Sequence, residues 1–176
     1  MTQADSDTER ILRGRAQALA RVPPRGIEEG TLEVLEFRLA SERYAVESRY
    51  VQEVHPLKDL TPLPCTPAFV LGIVNVRGRI LPVIDIKKLF GLAEQGLTDL
   101  HRIILIRGHG LELGLLADVI VGTRSLQPRN LQPSLPTLTG IRAEYLRGVN
   151  EERLVVLDLD RILTDPSLIV HEEVNS

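Results

Sequence analysis

The sequence has no tryptophan, and only three phenylalanines and three tyrosines among 176 residues. A core so poor in aromatics must be built from Leu, Val and Ile, which favours strands wherever the β-branched residues cluster. One cysteine, Cys65, excludes an internal disulfide and fits a reducing compartment. No run approaches the ~20 apolar residues of a membrane-spanning helix. The N-terminus carries Asp5, Asp7 and Glu9 and lacks the basic, apolar and small-residue order of a signal peptide. A formal net charge of −3 gives no whole-chain reason to expect nucleic acid. The reading is a soluble cytoplasmic protein that does not insert into a membrane.

Reactive constellations are missing as well. His55, His101, His109 and His171 are scattered without metal-ligand spacing. Cys65 has no histidine near it in sequence, and its loop position suggests a small filler. Asp85 and Asp158 each sit where a strand hands over to a helix, the place of an N-cap rather than of an acid–base pair. The stretch from Gly108 to Gly110 is too short and wrongly placed for a phosphate-binding loop. No catalytic residue, metal or cofactor is expected.

What is present is organised around Thr66 to Gly91, TPAFVLGIVNVRGRILPVIDIKKLFG. Thr66 and Pro67 read as the start of a turn of helix, with Phe69 in its body and Gly72 at its end. Two apolar runs follow, Ile73 to Val76 and Ile80 to Ile86. Gly78 lies between them where a hairpin needs positive φ. Asp85 caps a short helix that Gly91 stops. Two readings stand for Arg77, beside the turn glycine: a solvated loop arginine, or one held out for a partner protein. Arginine is enriched at interface hot spots, and a rigid hairpin limits the ordering cost of binding.

Residues 1–30 have a different character. Ser6 and Glu9 have capping-box spacing, and Ile11, Leu12, Ala16, Leu19 and Ala20 recur at helical spacing until Pro23 and Pro24. This predicts an amphipathic helix and linker. From Thr31 the period changes to two. Leu32 to Leu39 reads as a strand, Ser41 to Arg43 as a turn, and Tyr44 to Val46 and Val51 to Val54 as further strands. A loop bearing Pro56, Pro62, Pro64 and Pro67 follows. Leu92 to Asp99 reads as a connector, and His101 to Arg107 and Leu111 to Leu116 as strands. Thr123 to Thr139 reads as a long loop, and a last helix runs from about Leu159 to Asp165-Pro166. Ser167 to Ser176 is expected to be a mobile tail.

The two halves repeat. Ala68 to Asn75 matches Glu144 to Asn150 in pattern, and Ile80 to Asp85 matches Leu154 to Asp158. Neither half is large enough for a comfortable core of its own, so the two should share an apolar seam. The expected fold is mostly β: two five-stranded β-barrel subdomains around a shared apolar core, with short helices and an N-terminal helical extension. The expected boundaries are 1–30, 31–97, 98–165 and 166–176, with strand exchange between the two subdomains admissible.

The stretch Gly72 to Gly91 resembles the signature of the CheW family of bacterial chemotaxis coupling proteins. Val51-Gln52-Glu53-Val54, Thr66-Pro67-Ala68-Phe69 and Glu144-Tyr145-Leu146-Arg147-Gly148 agree with it, and the resemblance runs from about Leu32 to Leu163. It implies SH3-like barrels without enzymatic activity. It also implies partners: the cytoplasmic tips of methyl-accepting chemoreceptors and the regulatory domain of a CheA-type histidine kinase. Carried over by position, Arg77 and Glu53 are receptor contacts, and Val51 and Asn75 line the same region. The resemblance assigns no kinase-docking residue. Two alternatives stay open: an adaptor of this fold in a non-flagellar receptor–kinase pathway for surface motility or second-messenger control, and a small-molecule-binding barrel or small enzyme.

Overall fold

The computed structural model describes residues 30–93, 96–98, 100–133 and 141–168. The chain divides into two units, Met1–Thr31 and Leu32–Ser176. The amphipathic helix expected near the N-terminus lies outside the described residues. So does the expected tail, except for Pro166, Ser167 and Leu168. Leu168 is buried among the core residues, so the packed chain continues past residue 165.

Among the described residues, the second unit has ten strands and three short α-helices: β1 Leu32–Leu39, β2 Glu42–Glu47, β3 Val51–Pro56, β4 Val70–Val76, β5 Arg79–Ile84, α1 Ile86–Phe90, β6 Arg102–Gly108, β7 Leu111–Ala117, β8 Val119–Leu126, α2 Ile141–Glu144, β9 Leu146–Val149, β10 Leu154–Leu157 and α3 Leu159–Thr164. They form two five-stranded sheets, ordered β8-β1-β2-β10-β9 and β3-β6-β7-β5-β4. Replacing each strand of the first order by its counterpart in the other half of the chain gives the second order. Each sheet takes the opening hairpin of one half and the last three strands of the other. The halves 31–97 and 98–165 therefore exchange strands reciprocally, through the parallel pairs β2–β10 and β5–β7 and the antiparallel pairs β1–β8 and β3–β6.

This arrangement explains why β6 and β7 read as nearly unbroken apolar runs, since both faces of these strands are buried. Ile104, Ile106, Leu113 and Leu115 face a core shared by the two sheets, with Phe37, Leu39, Tyr44, Leu157 and, from the helices, Ile86 and Leu163. Ile103, Leu105 and Leu116 turn the other way, into a core confined to the second sheet with Val74, Val76, Leu81 and Val83. Val34, Ala45, Leu126, Leu154 and Val156 form the matching core of the first sheet. The shared apolar seam is thus the largest of the three clusters.

The duplication extends to single hydrogen bonds. Asp85 N donates to Phe69 O and Asp158 N to Tyr145 O, both at 2.7 Å. Asp85 caps α1 through Lys87 N, and Asp158 caps α3 through Arg161 N. The proline-bearing loops each return one residue to a sheet edge, Thr61 to Ile73 and Gln132 to Val149. A Cβ on Gly72 would lie 2.2 Å from Thr61 O, and one on Gly148 would lie 2.9 Å from Gln132 O. Glycine is required at both positions by the close approach of that loop.

Three expectations are corrected. Residues 66–71 form no helical turn. One hydrogen bond, Val70 N to Pro67 O, closes a tight turn, and β4 then begins; a single helical turn is too short to persist against strand pairing. Gly72 is accordingly a strand residue rather than a helix stop. Thr123 to Leu126 belong to β8, paired to β1 from Leu32 to Leu35, and Arg124 there is held by Glu36 and Glu152. Cys65 is exposed and fills no gap.

Candidate functional site

The β4–β5 hairpin closes on two residues, Arg77 and Gly78, with Val76 paired to Arg79. Both central residues have positive φ, 52° for Arg77 and 82° for Gly78. Two such residues make the turn whose twist matches the flanking strands. The sequence signalled this at Gly78 and not at Arg77, a residue type that rarely adopts the left-handed region. Asn75 Oδ1 accepts the Gly78 N–H at 2.9 Å and holds the turn.

Arg77 leaves this turn with its side chain 73% exposed, and its Nη2 lies 3.1 Å from Glu53 Oε2. Glu53 sits on β3 and the hairpin joins β4 and β5, so the pair links the two edges of the second sheet. The contact spans the gap between these edge strands, which are not paired with each other. His55 Nε2 lies 2.6 Å from the other carboxylate oxygen of Glu53. The His55 hydrogen bond, with Arg77 and Arg79 nearby, holds the Glu53 carboxyl below the usual glutamate range. The site therefore presents a fixed carboxylate beside an exposed guanidinium.

Of the four residues singled out from the sequence, the structure joins Arg77 and Glu53 directly. Asn75 is exposed and serves the turn. Val51 lies two residues before Glu53 on β3 and is partly buried against the shared core. His55 and Arg79 were missed. Their signal was positional: one is two residues along a strand from Glu53, and the other is two residues across the turn from Arg77.

The repeat supplies an internal control. Ile106 pairs with Val51 and Leu105 with Glu53, across a bulge at Gln52; Phe37 pairs with Ile120 and Glu36 with Gly122, across a bulge at Val121. Gly122 thus stands where Glu53 stands in the other half. The matching hairpin tip of the second half, between Asn150 and Leu154, reads Glu151-Glu152-Arg153. The Arg77–Glu53 pair belongs to one half alone.

The model of the CheW-like domain matches residues 33–167 of the chain. The chain belongs to the CheW-like family. It is 30% identical to the chemotaxis protein CheW of Treponema pallidum, over 82% of this chain and 89% of that protein. Protein FrzA of Myxococcus xanthus is 32% identical over 72% of this chain and 82% of that protein. The crystal structure of the scaffolding protein TtCheW from Thermoanaerobacter tengcongensis superposes with a TM-score of 0.69 at 28% identity, covering 81% of this chain and 94% of that one. CheW-like proteins are non-catalytic scaffolds of chemotaxis signalling, and this chain is one of them rather than an enzyme. Among the described residues, no group of three or more His, Cys, Asp or Glu side chains could hold a metal ion. No helix among them is long and apolar enough to cross a membrane.

Proposed function

We propose that this chain is the adaptor that couples methyl-accepting chemoreceptors to a CheA-type histidine kinase, acting in the cytoplasm at receptor arrays. Arg77 and Glu53 contact the cytoplasmic tip of the receptor. Asn75 keeps the hairpin in register, and Val51 anchors the strand that carries Glu53. The observation that carries this reading is the Arg77–Glu53 pair: an exposed guanidinium on a braced two-residue turn, beside a carboxylate fixed as an anion. Adjacent opposite charges steer and register a partner that bears charges of both signs, such as a helical hairpin. The regulatory domain of the kinase is the second partner, and its docking edge is left unassigned.

The test is a titration of the full chain with a receptor-tip fragment and, separately, with the kinase regulatory domain. Binding to both supports the reading, and binding to neither ends it. Arg77→Ala should weaken receptor binding by ~2 kcal/mol, a hot-spot effect, with an unchanged melting curve. Unchanged affinity would remove Arg77 from the contact.

A further inference from the structure

The second sheet holds a groove of about 750 Å³, lined by Gln52, Arg79, Leu81, Arg107 and Leu111 and reached by Arg49. Three of these side chains are arginines, 62%, 46% and 61% exposed for Arg49, Arg79 and Arg107. One carboxylate in the lining, Glu112, is largely covered. Its oxygens accept from Arg79 Nη1 at 2.7 and 2.6 Å, and Arg107 Nε lies 3.0 Å away. One anion thus serves two cations. A guanidinium carries five N–H donors, so both arginines keep donors unspent. Arg49 is fixed independently: its guanidinium stacks 4.6 Å from the Tyr50 ring centroid, and its Nε donates to Glu47 Oε2 at 2.6 Å.

We propose that this groove docks an acidic segment of a partner protein, its carboxylates on Arg49, Arg79 and Arg107 and an apolar side chain over Leu81 and Leu111. Three features support it. The lining has an excess of positive charge in a chain whose net charge is −3. Each arginine is held by a neighbour before any partner arrives, which lowers the ordering cost of binding. The arrangement is particular to this half: in the other, Arg38 and Arg43 stand where Arg107 and Glu112 stand, and Arg43 and Arg124 both pair with Glu36 and Glu152. A nucleic acid fits less well. The lining offers no aromatic ring for base stacking.

The experiment titrates the full chain with a fluorescent peptide that alternates Glu and Leu, and with its Gln–Leu counterpart. The proposal expects the Glu peptide alone to bind, with an affinity that falls as salt rises. It expects the double variant Arg49→Gln/Arg107→Gln to bind about tenfold more weakly, while Arg38→Gln and Arg77→Ala bind as the wild type does. Matching melting curves verify that the variants fold. The Arg77→Ala arm separates this groove from the receptor contact. Absent binding of the Glu peptide, equal affinity for both peptides, an unaffected double variant, or tighter binding of a single-stranded oligonucleotide would each overturn the proposal.

Discussion

The two halves of the chain solve the same folding problem twice, so comparing them sorts structural features from functional ones. Both halves have an asparagine that braces the last hairpin, an aspartate that caps the following helix, and a glycine that admits the returning loop. Features found twice serve the fold. The carboxylate of Glu53, its pairing with Arg77 and the basic groove occur once, and these are the places where a partner is proposed to bind.

The crossings between the sheets differ more sharply. The chain passes from the first sheet to the second at Ser48–Tyr50, and back again at Asp118. Each crossing is strapped to the helix of the opposite half and to a hairpin turn, with the signs reversed. At Asp118 the strap is buried: Lys87 Nζ donates to its Oδ1 at 2.6 Å, Ala40 N donates to its Oδ2 at 2.7 Å, and His101 Nε2 lies 3.1 Å away without the geometry of a hydrogen bond. At the other crossing Asp160 occupies the place of Lys87. It accepts from the buried Tyr50 hydroxyl and meets Arg49 and His109, but it is 53% exposed. The same topological joint is therefore a mostly covered ion pair in one half and an exposed one in the other.

The largest expected effect breaks that comparison. Lys87→Ala leaves Asp118 charged and mostly covered, and should cost ~3–5 kcal/mol in urea unfolding, whereas Asp160→Asn should cost no more than ~1 kcal/mol. Equal costs would mean that burial does not distinguish the two straps. Acid sharpens the same point. Burial alone would raise the Asp118 carboxyl, but the Lys87 and Ala40 hydrogen bonds outweigh it and hold the group low. A depressed carboxylate stabilises the fold above its ordinary value of 3.8 and loses that contribution as pH falls through the folded value. The stability gap between wild type and Lys87→Ala should therefore narrow in acid. Asp85 runs the other way, because burial raises it, so its contribution is lost as pH rises through the folded value. A gap that stays constant down to the acid-unfolded state would refute the role given to Lys87.

Smaller effects probe the hairpins. Asn75→Ala and Asn150→Ala each remove one bracing hydrogen bond and should each cost ~0.5–1.5 kcal/mol. Only Asn75→Ala should also weaken receptor binding, which a melt and a titration on the same samples would show.

Much of this was legible in the sequence. Period-two alternation marked β1 and β2, and the caps at Asp85 and Asp158 were visible as strand-to-helix aspartates. The repeat itself predicted the shared core. The exchange of strands was only admissible from sequence, because a periodic pattern says which face is buried and not which strand lies alongside. With two similar halves, either partner satisfies the pattern. The end of β8 was hidden by its polar residues, since Arg124 and Ser125 point to carboxylates on neighbouring elements rather than to a loop. At the candidate site, Arg77 and Glu53 were found through their resemblance to a known signature. The contact between them joins residues 24 positions apart on opposite sheet edges, which no local pattern encodes.

The sharpest test measures receptor-fragment affinity for Arg77→Ala and Arg153→Ala side by side, the two variants altering equivalent hairpin tips. A loss of ~2 kcal/mol for Arg77→Ala with no change for Arg153→Ala is the expected result. Equal losses, or a loss confined to Arg153→Ala, would contradict the assignment of docking to one half of the duplicated fold.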